Sequence, residues 1–240
     1  MIKQKLMKHV FFIYTLTILN SVIYAQATVN QLDESNRRDG VWEKYFDKTK
    51  QLRYEGQFKH GKEVDTFKFY TLNKGKSVLS ATKVFNNLDN SAQVKFLSSK
   101  GKRISEGQMN GMLYTGKWVY FHNNSAALLA TEFYNLDGVL EGEKLVFYPD
   151  GTIAEKANYK DGKLNGSSTW YAENGKVLKE FIFENDELNG VCKYYDVSGN
   201  LEAEGVYRKD LKHGIWTYYE NGKLVKTKDH TKRSKNPNKQ

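Results

Sequence analysis

Gly166-Ser-Ser-Thr-Trp-Tyr-Ala-Glu-Asn-Gly175 sets the pattern for this chain. Two later stretches align beneath it: Gly190-Val-Cys-Lys-Tyr-Tyr-Asp-Val-Ser-Gly199 and Gly214-Ile-Trp-Thr-Tyr-Tyr-Glu-Asn-Gly222. Each opens on glycine, carries an aromatic pair four and five residues later, and closes on glycine. Gly142, with Phe147 and Gly151, opens a further copy, and the four opening glycines are 24 residues apart each time. A fixed period of this length marks a repeat array.

Upstream the pattern loosens. Gly116-Lys-Trp-Val-Tyr-Phe121 has Ser125 in place of the closing glycine, and Gly40-Val-Trp-Glu-Lys-Tyr45 has Lys50 there. Between them, Asp65-Thr-Phe-Lys-Phe-Tyr70 leads to Gly75, and Ser91-Ala-Gln-Val-Lys-Phe96 leads to Gly101. About eight units thus fill residues 40–224, degenerate over 40–115 and regular over 116–224. The second half of the unit repeats too. Phe58, Met109, Tyr159, Phe183 and Tyr207 stand seven residues before the next opening position. Glu55, Glu106, Glu180 and Glu204 stand ten before it, and Glu155 is one place out.

Each unit reads as strand, glycine turn, strand, glycine turn. The apolar runs are short, rich in Tyr, Phe, Trp and Val, and bounded by Asn-Gly or Asp-Gly pairs that tolerate positive φ. Twenty-four residues accommodate two strands of ~6–7 residues and two turns. A plain meander of ~16 strands spaced ~4.8 Å apart would be of order 75 Å long. Alternation puts Trp216 and Tyr218 on one face and Thr217 and Tyr219 on the other. Rings on both faces suit a single layer better than a sandwich, which keeps one polar face. The predicted fold is all-β: an elongated, single-layer antiparallel β-hairpin array with an N-terminal signal helix and a disordered C-terminal tail.

These motifs resemble the MORN-repeat variant family, some of whose members are catalogued as YwqK-type antitoxins. The nearest matches are Gly214-Ile-Trp-Thr-Tyr-Tyr-Glu-Asn-Gly-Lys223 and Tyr159-Lys-Asp-Gly-Lys-Leu-Asn-Gly166. The resemblance implies a hairpin array that binds partners, with no enzymatic activity in the repeats. An antitoxin-like role would mean binding a toxin. Lys50 and Ser125, at turn-glycine positions, leave the local hairpin geometry open.

The two ends differ from the body. Lys3, Lys5 and Lys8 precede an apolar run over residues 10–19, and small Ala25 precedes Gln26. That order is a secretory signal, residues 1–25, and its apolar run is too short for the ~20 residues of a spanning helix. The expectation is an exported protein, periplasmic or secreted, not transmembrane once the signal is cleaved. Residues 26–39 read as a linker. Residues 225–240 are polar and basic and read as a disordered tail. Signal and tail carry most of the formal net charge of +9, leaving about +1 for the body. A near-neutral body lacks the concentrated charge of a nucleic-acid-binding face.

The residues for catalysis are not gathered. No Gly-x-Ser-x-Gly elbow occurs, His60 and His213 each precede a turn glycine, and the single Cys192 reads as an apolar filler. His, Cys and carboxylates show no metal-ligand spacing, and no phosphate loop or dinucleotide fingerprint occurs. No cofactor, metal or catalytic residue is expected. The glutamate column recurs once per unit, so cross-strand pairing with lysine explains it better than a glycosidase pair.

The candidate binding surface is the aromatic column Tyr45, Phe121, Phe147, Tyr171, Tyr195 and Tyr219, flanked by Tyr120, Trp170, Tyr194 and Tyr218. Its rings either pack on each other across strands or present an exposed face to a partner. The partner expected first is a protein, with the chain as an interaction or scaffold module at the envelope. A glycan of the cell wall and an anionic lipid are the alternatives.

Overall fold

The computed structural model describes residues 28–86 and 88–231, and every regular element among them is a β-strand. The signal segment and its predicted helix lie outside the described residues, as do residues 232–240. The first unit is preceded by β1 (Gln31–Leu32). Then follow β2 (Arg38–Tyr45), β3 (Leu52–Lys59), β4 (Lys62–Asn73), β5 (Lys76–Phe85), β6 (Ser91–Leu97), β7 (Arg103–Asn110), β8 (Leu113–Phe121) and β9 (Leu128–Tyr134). The regular half comprises β10 (Gly142–Phe147), β11 (Ile153–Lys160), β12 (Lys163–Tyr171), β13 (Val177–Glu184), β14 (Glu187–Leu188), β15 (Gly190–Tyr195), β16 (Leu201–Arg208), β17 (Leu211–Glu220) and β18 (Lys223–Asp229). Each strand pairs antiparallel with its neighbour in sequence, which makes one open meander. β14 and β15 both pair with β13 and are two halves of one strand bent at Asn189.

Two kinds of turn alternate. Between units the loops have two residues, both at positive φ, as at Asp161-Gly162 (52° and 78°) and Lys209-Asp210 (48° and 62°), and the within-unit turns at Lys74-Gly75 and Asn221-Gly222 take the same form. Their backbone twist matches that of the flanking strands. Within units a longer turn closes with Gly151 N–H donating to Tyr148 O and Tyr148 N–H donating to Thr152 O. Where the glycine is missing, the loop gains a residue and another side chain adopts the left-handed conformation. His122 N–H then reaches Ala127 O with Asn124 at φ 56°, and Phe46 N–H reaches Gln51 O with Lys48 at φ 57°. The hairpins at Ser125 and Lys50 are therefore closed, with altered loops.

The opening glycine has a different task. In β7–β8, Glu106 pairs with Val119 but Gln108 pairs with Thr115, so the later strand holds two extra residues. The same bulge recurs in β3–β4, β11–β12 and β16–β17. Gly116 and Gly214 sit in it at φ 64° and 65°, and Asp65 takes φ 57° in the degenerate unit. The bulge throws the ring two residues later across the preceding strand. Phe67, Trp118 and Trp216 land on Gly56, Gly107 and Gly205, and a Cβ on these glycines would lie 2.4–2.7 Å from ring atoms. β5–β6 has no bulge, so Phe96 falls on the same face as Trp118, 6.1 Å away between centroids.

The core is consequently a row of side chains across one face. Trp42 is opposite Gly56, Val94 opposite Gly107, Ser168 opposite Phe181, and Cys192 opposite Gly205. Large residues are met by small ones, so the row fills without a second layer. Trp118 and Trp216 are completely buried in it. Tyr114 stacks on Trp118 at 3.7 Å, and Lys212 Nζ caps Trp216 at 3.8 Å from the ring centroid.

Both flanking segments differ from their sequence reading. The linker over 26–39 contains β1 and a clamp. Asp33 accepts the N–H groups of Ser35 and Arg37 on Oδ1, while Arg37 Nε and His60 Nδ1 meet Oδ2 at 2.9 and 3.0 Å. Those bonds, that from the Arg37 N–H above all, hold its carboxyl well below the ordinary value. Residues 225–229, read from composition as tail, continue the ladder in β18, because Lys226 and Lys228 pair opposite Tyr218 and Trp216. Ladder hydrogen bonds outweigh polar composition there.

Candidate functional site

The face opposite the buried rings carries the tyrosine column, and several of its hydroxyls are bonded to glutamates. Tyr219 Oη donates to Glu204 Oε1 at 2.8 Å, Tyr195 to Glu180 Oε2 at 2.8 Å, and Tyr70 to Glu55 Oε1 at 2.7 Å. The glutamate column therefore answers chiefly to the tyrosine of the next unit. Lysine and arginine contribute locally, with Lys68 on Glu55 and Arg103 on Glu106. Phe121, which has no hydroxyl, is buried beneath the Arg103 guanidinium, 4.4 Å from its ring. Tyr171 accepts Tyr148 Oη on its backbone carbonyl, and the Phe147 carbonyl lies 3.0 Å from His122 Nε2. Tyr45, at the start of the array, bonds Glu43 and is exposed. Trp170, Tyr194 and Tyr218 lie on the other face among the packed rings: Trp170 with Phe181, Tyr194 with Tyr207, Tyr218 with Trp216.

Burial and the glutamate partners push the Tyr70 and Tyr195 phenols up to about 12. An unfolded tyrosine ionises near 10. Their stabilising contribution is thus complete below about pH 10 and is lost as pH rises towards 12. Absorbance titration at 295 nm should show a class of tyrosines ionising late, together with loss of β-structure. Tyr195→Phe and Tyr219→Phe should each cost about 1 kcal/mol in denaturant unfolding. Unchanged midpoints in both variants would remove the Tyr–Glu bond from the account.

The ring face has one polar interruption. At β9–β10 only two residue pairs join the strands, Leu145 with Thr131 and Val146 with Ala130. The opening glycines here are 26 residues apart, Gly116 to Gly142. Glu132 and Lys144 occupy the row where rings stand elsewhere, with Nζ–Oε1 at 2.9 Å. Tyr134 Oη donates to Glu132 Oε2 at 2.7 Å, and Tyr120 Oη is 3.4 Å from Tyr134 Oη. Burial works against the charged form of Glu132, but Lys144 and the hydroxyls outweigh it and its carboxyl is lowered. Glu155 on the neighbouring strand is raised by burial, which Lys144 offsets only in part.

Cys192 is buried in the ring row, and burial pushes its thiol up to about 11, which suits packing and not nucleophilic chemistry. Among the described residues no group of three or more His, Cys, Asp or Glu could hold a metal ion, and no helix is long and apolar enough to cross a membrane.

Sequence reading missed a second surface. The residue after the opening glycine points to the tyrosine face at its rim, and in the last two units it is apolar: Val191 is 54% exposed and Ile215 67%. Val206 pairs with Val191, and Ile182 packs beside Gly190. Ile182, Val191, Val206 and Ile215 thus form an aliphatic stripe over four neighbouring strands. The recurrence of Val41, Val191 and Ile215 directly after a glycine was its signal in the sequence. Exposed β-branched residues in a row are a contact surface, whereas a hydroxyl-bonded tyrosine column is already satisfied.

Comparison with known proteins places the MORN repeat variant on residues 140–161, 164–185 and 212–231. These matches span β10–β13 and the last hairpin. No curated protein matches the chain.

Proposed function

We propose, for a chain whose residues 140–161, 164–185 and 212–231 match the MORN repeat variant, that it is an exported, non-enzymatic binding module of the bacterial envelope whose partner is a protein. The observation that carries this reading is the stripe of Ile182, Val191, Val206 and Ile215. It is apolar on a face where the neighbouring Tyr195 and Tyr219 hydroxyls are bonded to Glu180 and Glu204, and a ladder of hairpins presents it. Export rests on the charge, apolar run and small residue of residues 1–25.

The test is a crosslinking pull-down from envelope extract. Wild type is compared with Val191→Glu/Ile215→Glu and with Tyr195→Phe/Tyr219→Phe. A protein recovered by wild type and the phenylalanine variant, and lost by the folded glutamate variant, supports the stripe. A partner that ignores the glutamates but is lost with the hydroxyls would move the site to the tyrosine column. Fractionation with N-terminal sequencing checks export, the mature chain being expected to begin at Gln26.

A further inference from the structure

The two ends of the meander are finished differently. At the N-terminal end β2 is covered. β1 pairs with it, Asn30 N–H donates to Val41 O, Glu43 N–H donates to Asn30 Oδ1, and Trp42 Nε1 donates to Gln31 O. At the C-terminal end β18 pairs with β17 on one side, and among the described residues no strand lies on the other. All seven residues of β18 are exposed. A strand in this position presents a row of backbone donors and acceptors that another chain can extend.

Charge selects what could extend it. Lys223, Lys226 and Lys228 lie on β18, and Lys212 lies on β17 over the Trp216 ring. Arg208 and Lys209 line the same end of the array with His213 and His230. The sequence beyond adds Lys232, Arg233, Lys235 and Lys239 with no acidic residue. This concentration disfavours a like-charged strand, a second β18 included, as the occupant. Lysines on an edge guard against indiscriminate pairing, but towards a strand bearing carboxylates the same charges are attractive. The aliphatic stripe ends at Ile215, which is opposite Asp229 of β18. A strand added beside β18 would therefore lie one strand beyond that stripe, across β18.

The geometry points to the open edge of β18 as a docking site for an extended acidic segment of a partner protein, added as a nineteenth strand. This inference rests on the binding-module reading and names the chemistry of its partner.

The test uses the purified chain and three fluorescein-labelled peptides of about twelve residues. One alternates Glu and Thr, one alternates Lys and Thr, and the third is the Glu/Thr peptide with a central proline. Fluorescence anisotropy reads binding, and amide hydrogen exchange reads β18. The Glu/Thr peptide should bind and slow exchange at Leu224–Lys228, and its affinity should weaken as salt rises. The Lys/Thr peptide should not bind, and proline should abolish binding by removing a ladder donor. Lys226→Glu/Lys228→Glu should weaken binding on the order of tenfold. Lys226→Gln/Lys228→Gln should fall between, with circular dichroism unchanged in both. Equal binding of the proline peptide, or binding without protection of β18, overturns the inference, because the contact is then charge alone. No binding by any peptide also overturns it, and the lysines are then guards only. A protein partner that still binds the Lys→Glu variant through the stripe would sink the edge site and leave the module reading standing.

Discussion

Gly107→Ala is expected to destabilise the protein by about 3 kcal/mol or more, at the upper end of what overpacking costs. The reason is contact, since the backbone of Gly107 is not in the left-handed region. A Cβ there would lie 2.5 Å from Cδ2 of Trp118, a ring with no exposed surface. The ring cannot tilt away, because Tyr114 stacks on it at 3.7 Å and its Nε1 donates to Gln108 O at 2.9 Å. Gly205→Ala should behave alike against Trp216. Denaturant unfolding of Gly107→Ala, Trp118→Leu and the double variant provides the measurement. The double variant should be more stable than the sum of the two single losses, because the smaller side chain leaves room for the methyl group. Additive losses would show that the close approach is not the cause.

Lys144→Ala is expected to change how the protein unfolds as well as how much stability it has. Glu132 loses its cationic partner in a half-buried place, a change that costs up to about 3 kcal/mol. The loss falls at β9–β10, where only two ladder pairs join the strands. Repeat arrays unfold as one when the coupling between neighbours is strong, and piecewise when one coupling is weak. Wild type should show one thermal transition and Lys144→Ala two, assignable to β1–β9 and β10–β18 by hydrogen exchange. Glu155→Gln, at a carboxyl raised by burial, should leave one transition and stabilise at neutral pH. Glu132 is lowered, so its contribution is present above the ordinary carboxylate range and is lost as pH falls through it. A single transition in Lys144→Ala at every pH would show that the joint is as strong as the others.

Much of this fold was legible in the sequence, since period, turn dipeptides and alternation each report a local rule. The opening glycines gave the hairpin array because their spacing survives any error in register. The core was less legible. Gly56, Gly107 and Gly205 stand eleven residues before Phe67, Trp118 and Trp216. That interval acquires meaning only when the bulge shifts the register by two. Phe96 is the complementary case: β5–β6 has no bulge, and spacing alone does not say which face its ring takes. The tyrosine column stood between packing and contact in the sequence because composition shows rings but not what their hydroxyls reach. The stripe was overlooked because single valines and isoleucines between aromatics carry little weight until strands bring them side by side. Position in the chain misled at both ends, where β1 and β18 order segments of loop-like composition.

The inter-unit turns are also tied to one another. Gly162 N–H donates to Leu140 O, Asp186 N–H to Leu164 O, and Asp210 N–H to Leu188 O, and the Asp186 and Asp210 carboxylates take the N–H groups of Leu164 and Leu188. Each turn is therefore tied to one about 22 residues away in the chain. Contacts so short in sequence close quickly. A nascent chain that emerges amino end first would meet, at every stage, a finished hairpin on which the next can be templated. Growth would begin once the Asp33 clamp has closed on His60, each later hairpin then docking on one already formed.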